Sequence, residues 1–386
     1  MPETRLHSST AFKIWIAGLL LLVFAGTAVY VCQLVHGLGV TDLSRDVSWG
    51  FYIAQFSFLG GVAATPLILL IPACCHGFVP FRKILVCAMF MAVAATISAT
   101  LIIIVDLGQP RRALNVILHP SPSSLMFWDM VTLTAYLVLS LAVGRIGLAC
   151  EKNGIEPPRW MIVPVYALGL AALATRIVGA FLFSGLPGRH YWHTAILAPR
   201  FLASAFSTGP ALLLLMLFVL RRLTGFDAGR QAVRGLASIT AYAMAANVLF
   251  FLFELFTVLY GQAPGPMHTV TYLFFGHDGQ GAWINGWMWF ASAAALLSLA
   301  LLLPSGLRDN ETLLPFALAL VVAANWIDKG LSFMIGGFTP NPFGTITGYA
   351  PSLAEIAVGL GIVALGLVIL SCLVRTALPA GEQTGP

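Results

Sequence analysis

The feature that most constrains this chain is a series of ten apolar runs, each about as long as a bilayer is thick. They occupy residues 13–35, 48–73, 83–105, 124–148, 160–184, 197–220, 234–260, 283–303, 312–337 and 352–375. Crossing roughly 30 Å of hydrocarbon takes about 20 helical residues. Lipid offers no hydrogen bonds, so each spanning segment must satisfy its own backbone, which an α-helix does. The expected fold class is an all-α polytopic membrane protein with ten transmembrane helices. Only 9% of the residues are charged, against roughly 25% in a soluble domain. No polar stretch is long enough to build a domain in water. The first run is too long for a signal-peptide core and lacks a small-residue cleavage site, so it is expected to remain as a helix.

An even number of spans places both termini on one side, and Lys/Arg placement indicates which. Arg5, Lys13, Arg82, Lys83, Arg145, Lys152, Arg159, Arg221, Arg222, Arg230, Arg234, Arg308 and Arg375 fall on the side of the termini. Arg45, Arg111, Arg112, Arg189 and Arg200 fall on the other. The expectation is a cytoplasmic-membrane protein with both termini in the cytoplasm, and this bias accounts for the net charge of +5 without a nucleic-acid partner.

Two stretches repeat one order of landmarks. Gly108-Gln109-Pro110 after the third run, His119 in the following loop and Trp128 at the next helix start match Gly261-Gln262-Ala263-Pro264, His268 with His277, and Trp283 with Trp287. The offset of four helices preserves orientation, as in parallel repeats. The expected division is residues 1–47 (tail and helix one), 48–184 (a first four-helix bundle), 185–337 (a second) and 338–386 (helix ten and tail).

The six cysteines are scattered, apart from the adjacent Cys74 and Cys75, and lack the clustering of zinc or iron–sulfur ligands. All the histidines but His7, in the tail, fall in loops or at helix ends, whereas a haem held between helices needs imidazoles within the spans. Neither haem, iron–sulfur cluster nor metal is expected in this chain.

Three stretches are more particular than apolar composition requires: WGFYIAQFSFLGGVAAT (49–65), VDLGQPRRALNVILHPSPSSLMFWDM (105–130) and SGLPGRHYWHTAILAPRFLASAFSTGPALL (184–213). On these the chain resembles the NrfD/PsrC family of quinone-linked membrane subunits, and within it the DsrP-like subgroup of sulfur-metabolism complexes. The resemblance implies a haem-free subunit that binds quinone (menaquinone or ubiquinone) near the periplasmic face. It would exchange electrons there with a ferredoxin-like iron–sulfur subunit. In the Dsr-like case it also implies cytochrome c and cytoplasmic heterodisulfide-reductase-like subunits. On this reading the chain is part of an oxidoreductase complex and not catalytic alone.

Quinone reduction takes up two protons, so protonatable groups must reach the carbonyl oxygens. Asp106 at the end of helix three, His119 in the loop and Asp129 at the start of helix four are the candidates. Trp49 and Trp128 offer flat faces for a quinone ring, and Gln55 and Arg111 complete the expected contacts. Each has a structural alternative: an interfacial ion pair for Asp106 with Arg111 and Arg112, a helix-dipole partner for Asp129, a belt anchor for each Trp. Deeper in the spans lie Arg176, Glu254, Asp328 and Lys329, with Asn247, Asn325 and Glu355 at similar depth. Ionisable groups there cost about 2.5–3.5 kcal/mol on insertion scales, so they either pair across helices or form a proton route. Two other readings compete with the quinone role. A secondary transporter is suggested by the repeat and by Pro66 and Pro210 in corresponding helices; a structural membrane anchor would bind no quinone.

Overall fold

The computed structural model describes residues 10–277 and 281–377; Arg5 and His7 of the N-terminal tail and residues 378–386 of the C-terminal tail lie outside the described residues. Among the described residues, ten helices are long and apolar enough to span a bilayer: α1 (Thr10–Val40), α2 (Phe51–Cys74), α3 (Val79–Asp106), α4 (Leu125–Asn153), α5 (Arg159–Ser184), α6 (Leu197–Thr224), α7 (Arg230–Gly261), α8 (Trp283–Leu302), α9 (Leu313–Phe338) and α10 (Leu353–Ala377). Their ends fall within about a turn of the expected ones. One stretch read as loop is helical: Pro264–Phe275 forms a short helix between α7 and α8, with Pro264 in its first turn, where a missing N–H costs nothing.

Neighbour relations follow chain order. α2 packs on α3, α3 on α4, α4 on α5, and α5 returns to α2; α6, α7, α8 and α9 repeat the pattern. α2 and α5 both touch α6, and α2 also meets α9, so one contact surface runs between the two sets. α1 lies against α10, which packs on α3. That pairing needs small residues: a Cβ on Gly26 would come within 2.8 Å of the Gly361 Cα. Close backbone approach of this kind gains dispersion contacts where lipid supplies no hydrophobic drive.

Two helices depart from regular geometry, each for an identifiable reason. Pro66 gives α2 no N–H to offer Val62, and the helix breaks at Ala64. The Thr65 hydroxyl donates to the freed Val62 carbonyl, and the Tyr136 hydroxyl of α4 donates to the Ala63 carbonyl. The break is therefore satisfied inside the protein, as a proline within the membrane requires. In α9 the residues Ile327–Leu331 widen into a π turn that carries Asp328 and Lys329. Regular helical geometry sets successive side chains about 100° apart; here adjacent charges join one cluster.

The loop between α5 and α6 folds back into the protein. Trp192 is fully buried, its indole N–H donates to the Phe333 carbonyl at 2.8 Å, and its ring occupies the space a Cβ on Gly337 would take. Around it pack Trp49, Phe183 and Phe338. This aromatic plug joins α2, α5 and α9 at the loop end that also carries Asp106.

Candidate functional site

Three buried polar clusters lie toward this end of the helices. The first forms where α1, α2, α3 and α10 meet. The Tyr52 hydroxyl donates to the Gln33 side-chain oxygen at 2.7 Å, and the Gln33 amide donates to the Val105 carbonyl at 3.1 Å. Glu355 is fully buried and accepts bonds from the Tyr349 hydroxyl (2.5 Å), the Ser352 N–H (2.9 Å) and the Asp42 N–H (3.2 Å). The Glu355 N–H in turn donates to the Ser352 hydroxyl, a reciprocal capping box at the start of α10. Tyr349, in the loop before α10, has its proton held well above the usual phenol range by burial and by the neighbouring Glu355 carboxylate. Asp106 lies close enough to Glu355 and Tyr52 to interact with them electrostatically. Its Oδ1 is buried without a hydrogen-bond donor among the described residues. Every other acceptor named in the cluster has one; Asp106 is the open position.

The second cluster spans α6, α7 and α9. Arg200, 1% exposed, is ion-paired to Glu254 through Nη1 and to Asp328 through Nη2 at 2.6 Å. Lys329 reaches the other Asp328 oxygen at 2.9 Å. Two cations and two carboxylates thus neutralise one another in a site lipid could not solvate. The Arg200 guanidinium also lies 5.0 Å from the Phe251 ring centre, and Tyr191 from the folded-back loop is within electrostatic reach of Arg200. Beside the cluster a cavity of about 30 Å³ is lined by Asp328, Asn247, Asn325 and Ser292 among apolar residues. Asn247 donates to Asn325 at 2.9 Å, and Asn325 donates to the Ser207 hydroxyl at 3.0 Å. The polar groups therefore continue from the charge cluster into the body of the helices.

The third cluster joins α4, α5, α2 and α6. The buried Arg176 donates from Nη1 to the Ser57 carbonyl at 3.2 Å and from Nη2 to the Phe201 carbonyl at 3.3 Å. Its guanidinium stacks on the Phe201 ring at 4.8 Å. Asp129, 4% exposed, is within electrostatic reach of Arg176, yet among the described residues its Oδ1 has no donor and the Arg176 Nε has no acceptor.

The residues singled out from sequence therefore separate. Asp129 is buried and Asp106 half-buried, and they belong to different clusters. His119, Arg111 and Trp128 are exposed, and the Trp128 indole is turned to the Pro122 carbonyl at 2.8 Å. Trp49 stacks on Trp192 in the aromatic plug, ring centres 5.8 Å apart. Gln55 is buried and accepts the Trp326 indole N–H at 3.2 Å, linking α2 to α9. Of the four deep charges, Glu254, Asp328 and Lys329 come together, and Arg176 stands apart with Asp129. Sequence reasoning set Arg200 among the loop-side charges; it lies at the centre of the second cluster. Its position as the fourth residue of an apolar run was the available signal. Gln33 and Tyr52 went unremarked, and nothing in their spacing announces a partnership made across helices. Among the described residues no three His, Cys, Asp or Glu side chains are grouped to hold a metal ion.

Residues 39–339 match the family model described as polysulphide reductase, NrfD. The chain belongs to the NrfD family. Its match spans α2 to α9 and so includes the second and third clusters entire; of the first it holds Tyr52 and Asp106, while Gln33, Tyr349 and Glu355 lie outside it. The chain is also similar to relatives of matching length. One is the Hdr-like menaquinol oxidoreductase integral membrane subunit of Archaeoglobus fulgidus, at 25% identity over 91% of this chain and 90% of the relative. A second is the menaquinone reductase integral membrane subunit of Nitratidesulfovibrio vulgaris, at 24% over 94% and 91%. A third, from Halobacterium salinarum, is a putative membrane subunit of dimethyl sulfoxide reductase, at 25% over 92% and 89%. This NrfD-family chain thus shares its length as well as its sequence with membrane subunits of redox complexes.

Proposed function

We propose that this chain is the quinone-handling membrane subunit of a redox complex, passing electrons between quinol in the bilayer and an iron–sulfur partner docked on the loop face. The observation that carries the reading is the donor-less Oδ1 of Asp106 beside an otherwise saturated cluster of Tyr52, Gln33 and Glu355. A quinol hydroxyl would supply the missing donor. Oxidation of the quinol releases two electrons and two protons, and Asp106 is placed to receive the first proton. A proton on Asp106 also relieves its repulsion from Glu355. The exposed His119, Arg111 and Trp128 then belong to the entrance or to the partner surface, and Asp129 to a different event.

The relatives named for menaquinol and menaquinone support a quinone substrate. The finer reading places the chain in dissimilatory sulfur metabolism, with cytochrome c and cytoplasmic heterodisulfide-reductase-like subunits as further partners. It places the protein in the cytoplasmic membrane with both termini inside, organised as two parallel four-helix bundles, 48–184 and 185–337. The cluster of Arg200, Glu254, Asp328 and Lys329 with its adjoining cavity is the segment of this architecture suited to a proton route.

The test is binding of a fluorescent quinol analogue to the purified chain in nanodiscs. Asp106→Asn is expected to weaken binding at least tenfold and Tyr52→Phe to weaken it less, with His119→Ala near wild type. Unchanged affinity in Asp106→Asn would remove the site from this cluster.

A further inference from the structure

We infer that Asp129 and Arg176 form a proton-operated latch that couples the α2–α5 half of the molecule to the charge cluster of the other half. Arg176 has two sets of acceptors to choose between, since the Asp129 Oδ1 lies 4.0 Å from where a Cβ on Gly179, one turn along α5 from Arg176, would sit. In this structure it is bound to two backbone carbonyls, Ser57 on α2 and Phe201 on α6, at 3.2 and 3.3 Å. The Asp129 carboxyl waits nearby with an oxygen that has no donor among the described residues, and Arg176 keeps an Nε that has no acceptor among them. These two orphaned atoms are complementary.

The proton on Asp129 decides between the two arrangements. A buried ionised carboxylate without a partner is costly, and a charge-assisted bond from a guanidinium is roughly twice as strong as one to a neutral carbonyl. Ionisation of Asp129 therefore draws Arg176 away from the carbonyls; protonation releases it to them. On this inference, the arrangement with Arg176 on the two carbonyls is the one that protonated Asp129 favours. Among the described residues no other charge competes: Arg176 is the charged group acting on Asp129, Asp129 the one acting on Arg176, and α2 and α6 present carbonyls and the Phe201 ring. Gly60 keeps the seat open, since a Cβ there would meet the Arg176 Nη1 at 2.9 Å.

The consequence lies in α6. Phe201, whose carbonyl Arg176 holds, directly follows Arg200, whose side chain holds Glu254 and Asp328. One turn of α6 is thus gripped from both halves, by Arg176 on one side and by Glu254 and Asp328 on the other. When Arg176 leaves, that turn loses its tie to α5 and the second cluster loses a fixed support. Two discrete arrangements biased by one proton are what transmission between sites requires.

Hydrogen exchange of the full chain in nanodiscs, followed by mass spectrometry and corrected for intrinsic rates, tests the latch. In the wild type, exchange of amides 197–204 should rise several-fold from acidic to alkaline buffer. Asp129→Asn should remain slow at both, Arg176→Gln fast at both, and Asp328→Asn should keep the wild-type response. A pH response that persists in Asp129→Asn, one that vanishes in Asp328→Asn, or a flat wild type would each overturn the inference. Should Arg176→Gln fail to fold, the isosteric Asp129→Asn decides alone.

Discussion

At the scale of single residues, charge burial is the costliest feature of this chain, and it is answered by ion pairing at Arg200, Glu254, Asp328 and Lys329. Removing one member of a buried network leaves its partners uncompensated, which costs about 3–5 kcal/mol. Arg200→Ala strands Glu254 and leaves Asp328 with Lys329 alone, and should destabilise the protein by that order, read as a lower melting temperature in detergent. Arg200→Lys, which keeps the charge but cannot fork to two carboxylates, should fall between. Close packing makes an independent demand at Gly337, where an added Cβ would overlap the Trp192 indole. Gly337→Ala should expel the indole and cost about 1–3 kcal/mol, with the loss visible as red-shifted tryptophan fluorescence. Sequence reasoning reached Asp328, Lys329 and Glu254 because a charge inside an apolar run stands out. It missed Arg200 because the fourth residue of a helix looks like a terminus, and depth depends on where the neighbouring loop folds. Trp192 returns that loop over the site.

At the scale of elements, spans were legible because hydropathy alone decides them, and the ten helices appear where the apolar runs do. Interruptions within them were not. Pro66 is visible in the sequence, yet which hydroxyl rescues the freed carbonyls depends on α4 lying alongside. Tyr136→Phe removes the donor to the Ala63 carbonyl, and a buried acceptor left unpaired costs about 1–3 kcal/mol. The double variant Pro66→Ala/Tyr136→Phe should lose less than the single one, because an unbroken α2 satisfies its own backbone. A thermal-melt double-mutant cycle checks this. The π turn of α9 left no mark in periodicity, since most of the helix around Asn325, Asp328 and Lys329 is apolar and a shift of phase changes little in its pattern.

At the scale of the whole molecule, three polar clusters sit toward one end of the helices, and Asn247, Asn325 and Ser207 carry polarity further in from one of them. The second and third clusters meet on α6, where Phe201 directly follows Arg200, and the first lies where α1, α2, α3 and α10 come together. The Lys/Arg bias predicts orientation: in a cysteine-free background, Ser123→Cys should react with an impermeant maleimide in intact cells, and a cysteine at Ser305 only after permeabilisation. The reverse pattern would invert the topology. Legibility fell with distance along the chain. Landmarks within one loop were readable, whereas the first cluster draws on residues as far apart as Gln33 and Glu355.

The contact of α1 with α10 has a consequence in time. Trp15 donates to Ser371 across a separation of 356 residues, and synthesis at about 5–20 residues per second leaves roughly 20–70 s between them. Throughout that interval the Gly26 face of α1 is in the membrane without the helix it was shaped for. A nascent α1 therefore has to be shielded by lipid, by an insertion factor or by a temporary neighbour until α10 emerges. Assembly of the first cluster, which needs Glu355, has to wait for α10.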